Sequence, residues 1–191
     1  GEGGLIATSD AGLAHTLRQM RNHGLSLDEP AASGPGTNAK LSELAAALAL
    51  HALHHLPAQL RRRRAYSERL RAATAATDGA LVAQRVPAGV VSACQNFGVR
   101  CSVRPEGLAE VIRAFEAHGV EARRYFWPPL HRLPAWRDRF SLPVTDSLAD
   151  SLVCLPLHGR MDEVTLQRVE EAIRAVGDQL RSWQPFRRGN A

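Results

Sequence analysis

The residues best suited to chemistry share one loop and the helix it opens into, Gly34-Pro35-Gly36-Thr37-Asn38-Ala39-Lys40-Leu41-Ser42. Asn38 offers a short amide, Lys40 an amine, and Ser42 is of the type that caps a helix start. A helix start presents free N–H groups and the positive end of the helix dipole, which suits an anion such as a phosphate. The plainer alternative is a loop-to-helix junction in which Asn38 makes local turn bonds. Gly34 and Gly36 are expected to take backbone angles closed to other residues, with Pro35 stiffening the loop between them.

Further groups lie downstream. His51 and His55 are one helical turn apart, a spacing that puts two imidazoles on one face and could begin a metal site. No carboxylate or cysteine accompanies them, so no metal is expected. Tyr125-Phe126-Trp127-Pro128-Pro129-Leu130-His131 is the densest aromatic stretch, kept out of helix by its prolines. It can line a pocket or simply pack its loop onto the domain. The run Arg61–Arg64 is read as a solvated helix face or subunit contact, because few aromatics accompany it for nucleic-acid binding. Cys94, Cys101 and Cys154 show no CxxC spacing and read as buried, reduced thiols of a cytoplasmic protein. No Ser/His/Asp order, metal cluster or P-loop is complete, and no catalytic residue is assigned.

The elements that must position these groups follow from pattern and composition. At 191 residues and 45% hydrophobic, the chain has material for a real core, which excludes wholesale disorder. Its net charge is +5, yet Lys40 is the one lysine among 24 basic residues, a bias that weakens any functional reading of the charge. No stretch is apolar for long enough to span a membrane, and no signal peptide is visible. The chain begins at Gly1 without Met, so the natural start is expected to lie upstream.

After the turn-forming Gly1-Glu2-Gly3-Gly4, Leu5–Thr8 reads as a buried strand. With no partner before it, that strand is taken as a sign of further N-terminal structure. Ser9 or Asp10 caps a helix carrying Leu13, Leu17 and Met20, closed by Asn22 and Gly24. Residues 24–38 form a polar loop. A helix apolar on nearly all sides follows, Leu41 to Leu56, which implies burial between layers or at a subunit interface. Pro57 is expected to kink or break it before a second, charged helix over residues 59–75. Residues 76–90 read as turns. Alternation of Phe97, Val99, Cys101 and Val103 marks a strand with one buried face. Leu108, Val111, Ile112 and Phe115 mark a helix ended by Gly119, and Val120–Arg123 a short strand. A short helix near 145–151, the apolar run Val153–Leu157, a helix from Asp162 and a frayed tail complete an α/β chain.

Five motifs in order resemble the DegT/DnrJ/StrS family: Gly1-Glu2-Gly3-Gly4, Arg21-Asn22-His23-Gly24, Gly36-Thr37-Asn38-Ala39-Lys40-Leu41-Ser42-Glu43-Leu44, Tyr125…Pro129-Leu130-His131, and Leu155-Pro156-Leu157. The similarity runs from Gly1 to about Val176 and matches the family's C-terminal half. It implies pyridoxal-phosphate-dependent sugar aminotransferases with an aspartate-aminotransferase-like α/β fold (fold type I). Residues 1–56 would be the end of the large domain, with a dimer-crossing loop and interdomain helix. Residues 57–180 would be the small C-terminal α/β domain, and 181–191 a flexible tail. Asn38 matches the asparagine that reaches across the homodimer to the cofactor phosphate, and Tyr125 and His131 fall in the part that faces the substrate. The family's Schiff-base lysine lies upstream of Gly1. Lys40 is no match to it, and Ala39 and Lys40 replace the family's usual aromatic and Arg. The resemblance implies a nucleotide-linked keto-sugar or keto-cyclitol substrate with an amino-acid donor, no membrane or nucleic-acid partner, and a fragment inactive alone. A non-catalytic partner subunit and a basic nucleic-acid-binding protein are the alternative readings.

Overall fold

A computed structural model describes residues 3–26, 34–137 and 139–183. The start of the opening turn, the middle of loop 24–38 and most of the expected tail lie outside the described residues. The chain divides into two compact units, Gly1–Leu56 and Pro57–Ala191.

In the first unit, α1 spans Ala11–Met20, and the Asp10 carboxylate accepts the Leu13 N–H at 2.9 Å. This places an acceptor on one of the four N–H groups a helix start leaves open. The strand expected at Leu5–Thr8 does not form. A strand needs a neighbour to pair its backbone, and the described residues provide none, so Leu5 and Ile6 stay 65% and 72% exposed. Helix α2 spans Glu43–Ala75, with the Ser42 hydroxyl accepting the Ala45 N–H at 3.2 Å. It runs through Pro57 without the expected break. Proline removes one backbone bond, to Leu53, and both residues are exposed enough for water to take the freed carbonyl.

The second unit is built on a three-stranded antiparallel sheet: β1 (Leu81–Ala83), β2 (Phe97–Cys101) and β3 (Leu152–Leu155), in the order β1-β2-β3. Leu81 faces Cys101 across one ladder, and Phe97 faces Leu155 across the other. The alternation in β2 holds: Phe97, Val99 and Cys101 are buried while Arg100 is exposed. Helix α3 (Leu108–Ala117) contributes Leu108, Val111 and Phe115 to the core. Helix α4 spans Pro143–Ala149. Helix α5 (Glu163–Ser182) contributes Leu166, Val169, Ile173, Val176 and Leu180, spaced three and four apart as one face of a helix requires. The burial of Cys101 pushes its thiol up to about 12, so it packs as a small hydrophobe.

Three differences from the sequence reading concern short elements. The turn-rich stretch 76–90 contains β1, started by Thr77, whose hydroxyl donates to the Thr74 carbonyl at 2.7 Å and accepts the Leu81 N–H at 3.1 Å. Val120–Arg123 is not a strand: it makes one bridge, Arg123 to Cys154, on the free edge of β3. At the C-terminal end, Arg181 and Ser182 are helical rather than frayed, and Arg181 pairs with Asp78 at 2.9 Å.

In the arginine run, read as a solvated helix face or subunit contact, Arg61 and Arg62 are exposed, but three of the four side chains also bond within the second unit. Arg62 donates to the Gly159 carbonyl at 3.4 Å, Arg63 to Gln95 at 3.2 Å and Arg64 to the Ser92 carbonyl at 3.0 Å. One turn further, Arg69 forks onto Glu170 at 2.6 and 3.0 Å and reaches Glu163 at 2.8 Å. These guanidiniums tie the C-terminal half of α2 to the rest of the second unit.

Candidate functional site

The first unit holds Asn38 by its backbone and leaves its side chain open. Residues 37–39 lie against the end of α1 through Thr37 N–H to Met20 O at 2.8 Å, Ala39 N–H to Arg21 O at 2.9 Å and His23 N–H to Thr37 O at 3.1 Å. Asn22 and Asn38 form the bridge of this pairing. The Asn38 residue is exposed, and its carboxamide makes no hydrogen bond among the described residues. Lys40 Nζ sits 3.3 Å from His23 Nε2 and 3.5 Å from Asn22 Oδ1. The amide is thus aimed by a fixed backbone, and the lysine is drawn toward two groups after α1.

Glycine is required in this loop for closeness rather than for unusual angles. Neither Gly34 nor Gly36 has positive φ, contrary to expectation; Gly24 does, at 78°. A Cβ on Gly36 would lie 2.0 Å from the Gly24 nitrogen and 2.4 Å from the His23 carbonyl carbon, whereas one on Gly34 would meet open space. Of Gly34 and Gly36, only Gly36 is needed for the two backbones to touch, and Gly24 is needed opposite it, where an added Cβ would lie 2.2 Å from the Gly34 carbonyl oxygen.

The second unit separates the two other expected residues. Tyr125 lines a cavity of about 210 Å³ together with Asn96, Glu121, Arg123 and the stretch Cys154–Leu157. Arg123 bonds the Glu121 carboxylate at 2.7 Å and the Tyr125 hydroxyl at 3.3 Å, and the Tyr125 and Glu121 bonds raise its pKa. His131 is not in that cavity. Its side chain is 8% exposed, and Nε2 lies 2.9 Å from Asp146 Oδ1. It belongs to a cluster that the sequence reading does not anticipate. Arg132 donates to Asp146 at 2.6 Å and forks onto Asp150 at 3.0 Å twice. Arg124 donates to the Ala149 carbonyl at 2.9 Å and lies 4.1 Å over the Trp127 ring. Asp146 on α4 and Asp150 at its C-cap are one turn apart and therefore lie on the same side, a spacing legible in sequence; their partner 14 and 18 residues earlier is not.

This cluster docks the aromatic loop on α4 and sets its response to acid. The His131 and Arg132 bonds hold the Asp146 carboxyl below the ordinary carboxylate value, and Arg132 does the same for Asp150. A depressed carboxyl stabilises above its unfolded pKa and loses that contribution as pH falls through its folded one. Docking is therefore expected to stay constant from pH 8 to about 5 and to fail below about pH 4. Tryptophan fluorescence over an acid titration reads it through Trp127 and Trp136. A main transition above about pH 5 would remove the two carboxylates as the controlling groups.

Among the described residues, no cluster of three or more His, Cys, Asp or Glu side chains could hold a metal. His51 and His55 lie with ring centroids 4.5 Å apart, edge-on and exposed. Cys94, Cys101 and Cys154 are free thiols.

Residues 1–174 match the DegT/DnrJ/EryC1/StrS aminotransferase family. The chain belongs to that family. Among its relatives, it is similar to the dTDP-4-amino-4,6-dideoxy-D-glucose transaminase of Escherichia coli, at 24% identity over 90% of this chain and 47% of that protein. It is 29% identical to the dTDP-3-amino-3,4,6-trideoxy-alpha-D-glucose transaminase of Streptomyces venezuelae, over 94% of this chain and 47% of that protein. Among solved structures, DesV of S. venezuelae superposes with a TM-score of 0.79 at 26% identity, covering 90% of this chain and 46% of DesV. The chain thus spans about half the length of the curated relatives it matches. Its architecture is the C-terminal part of the α/β, aspartate-aminotransferase-like fold (type I) shared by these DegT-type enzymes. Among the described residues, no helix is long and apolar enough to cross a membrane.

Proposed function

We propose that this chain is the C-terminal portion of a pyridoxal-phosphate-dependent aminotransferase that delivers an amino group to a nucleotide-linked keto-sugar or keto-cyclitol, taking it from an amino-acid donor. The observation that carries the reading is Asn38: its backbone is pinned to the end of α1 while its carboxamide has no partner among the described residues. That is the state of a group awaiting an oxygen ligand from outside its own unit. In a homodimer it would donate its amide N–H to the cofactor phosphate in the partner subunit's active site. The exposed leucines of α2, with Leu44 at 76%, Leu50 at 68% and Leu48 at 59%, offer apolar surface for such an assembly. The free thiols fit a reducing, cytoplasmic setting.

The described residues fit one role toward the cofactor. Asn38 would hold its phosphate, with Lys40 adding positive charge beside it. Lys40 is not placed to form the covalent bond, because its amine is directed at His23 and Asn22. When bound, pyridoxal phosphate supplies the electron sink that amino transfer requires. The Schiff-base lysine would come from sequence ahead of Gly1. Tyr125, His131 and the loop between them would face the sugar, with His131 acting through the loop it docks.

Two measurements test the reading. The chain alone, treated with pyridoxal phosphate and borohydride, is expected to carry no pyridoxyl adduct at Lys40 and to transfer no amino group; an adduct with turnover would overturn the fragment reading. In the intact enzyme, Asn38→Ala is expected to weaken cofactor binding about tenfold or more, the worth of one hydrogen bond to a charged oxygen. Unchanged cofactor affinity would remove Asn38 from the site.

A further inference from the structure

Three histidines of α2 belong neither to the core nor to the proposed site. His51, His54 and His55 are all exposed, and their ring nitrogens make no hydrogen bond among the described residues. Between Glu43 and Arg61 the helix carries no charged side chain, so neither a carboxylate nor a guanidinium of that stretch competes for these rings.

Helix geometry separates one pair from the third ring. His51 and His55 are four residues apart, so their side chains leave the same face one turn apart. The helix is continuous from Glu43 to Ala75, so Pro57 does not disturb that register. The two ring centroids lie 4.5 Å apart with the planes at 64°. His54 meets the His55 ring edge-on at 5.2 Å. Consecutive residues leave a helix about 100° apart, so His54 reaches that ring from a different face.

The 4.5 Å spacing bears on which ion would fit. With metal–nitrogen bonds of about 2.1 Å, two imidazoles at a right angle have ring centres about 4.5 Å apart, and two at a tetrahedral angle about 5.2 Å. His51 and His55 therefore need only turn their rings, with no backbone movement, to grip one ion at a right angle. Right-angled nitrogen ligands with oxygen in the remaining places suit Ni2+ and Cu2+, whereas structural Zn2+ is tetrahedral and takes four protein ligands. The missing carboxylate and cysteine argue against a structural zinc but do not bear on an ion that keeps its water. A two-point grip also needs no cluster of three protein ligands, and none is present among the described residues.

We infer that His51 and His55 form a two-imidazole chelate for Ni2+ or Cu2+ on the exposed surface of α2. Each ring gives the ion one nitrogen lone pair, and water fills the other positions. Once one imidazole holds the ion, the second binds it at the high effective concentration of a neighbour one turn away. Mg2+ and Ca2+, which take oxygen ligands, are not held there.

Calorimetric titration of the 191-residue chain with NiCl2 tests the site, at about pH 7.5 because imidazole binds a metal only when neutral. One equivalent is expected to bind, and Cu2+ should bind more tightly than Ni2+. Electron paramagnetic resonance of the Cu2+ form should show hyperfine structure from two imidazole nitrogens. His51→Ala and His55→Ala should each weaken Ni2+ binding about tenfold or more, because a single ring remains. Both positions are exposed and alanine favours helix, so the far-UV circular dichroism of these variants should not change. His54→Ala is the control and should bind Ni2+ as the wild type does. Equal Ni2+ binding by the wild type and the double variant, a single imidazole on the bound Cu2+, or a loss from His54→Ala as large as that from His51→Ala would overturn the chelate. Half an equivalent of Ni2+ per chain would overturn it too, since the ion would then be shared between two copies. None of these outcomes depends on amino transfer by the intact enzyme, so the proposed function stands or falls separately.

Discussion

Replacing Gly36 by alanine is expected to unfasten the Asn38 loop without unfolding the second unit. The added Cβ would lie 2.0 Å from the Gly24 nitrogen, 2.4 Å from the His23 carbonyl carbon and 2.8 Å from the Gly24 Cα. All three are backbone atoms, so no side chain can rotate away. Gly24 has little room to retreat either: its φ is already 78°, and the Gly34 carbonyl oxygen lies where a side chain on Gly24 would begin. Forced overpacking costs about 1–3 kcal/mol, and contact with backbone puts this case at or above the upper end. The relief available is to release the bridge between Asn22 and Asn38, whose Thr37, Ala39 and His23 amides make the bonds. Hydrogen exchange at those three amides should accelerate roughly a hundredfold, the equivalent of about 3 kcal/mol. Exchange in α3 and α5 should not change. In the intact enzyme, Gly36→Ala should weaken cofactor binding at least as much as Asn38→Ala, because it misplaces the whole residue. Gly34→Ala is the control: its Cβ meets open space, and exchange should stay at the wild-type rate. Equal effects from the two variants would mean that loop stiffness, not the close approach, positions Asn38.

That contrast also explains how much can be read from the amino acids alone. The two glycines look alike in sequence, and only the opposing backbone distinguishes them. Regular patterns are legible because they are local: the alternation in β2, the spacing on α3 and α5, and the capping types at Asp10, Ser42 and Asp162 each depend on neighbours within one turn or one strand. Leu5–Thr8 misleads because a short apolar run specifies a strand only if a partner is present. Residues 81–83 escape notice for the complementary reason. Three residues carry little pattern, but the Thr77 hydroxyl and the ladder to β2 make them a strand. Of the site, Asn38 and Tyr125 stand out as groups, whereas their surroundings do not. Glu121, Arg123 and Asn96 come together only when Arg123 bridges to Cys154, and His131 meets Asp146 only when α4 forms. The arginine run misleads on the same ground, since its acceptors Ser92, Gln95 and Gly159 are distant in sequence.

The cavity wall and the core of the second unit depend on one residue, and its removal is the most destabilising change expected. Phe115 is fully buried, and it lies in the last turn of α3, where its backbone helps to close the helix. Its carbonyl accepts the Val120 N–H at 3.0 Å, while the Gly119 N–H bonds the Glu116 carbonyl at 2.8 Å and Gly119 takes φ 70°. This is the Schellman arrangement, in which a glycine turns left-handed and the residue after it packs on the helix. Val120, 2% exposed, is that residue, and the chain then passes directly into Glu121, Arg123 and Tyr125. Phe115→Ala deletes a buried aromatic ring and the packing under the turn together. The expected loss is about 3–5 kcal/mol, a large share of the roughly 5–15 kcal/mol that typically holds a domain. Urea unfolding should show a midpoint lowered by about 2 M with an unchanged slope. Phe126→Ala removes the same ring from a site 83% exposed and should shift stability by no more than about 0.5 kcal/mol.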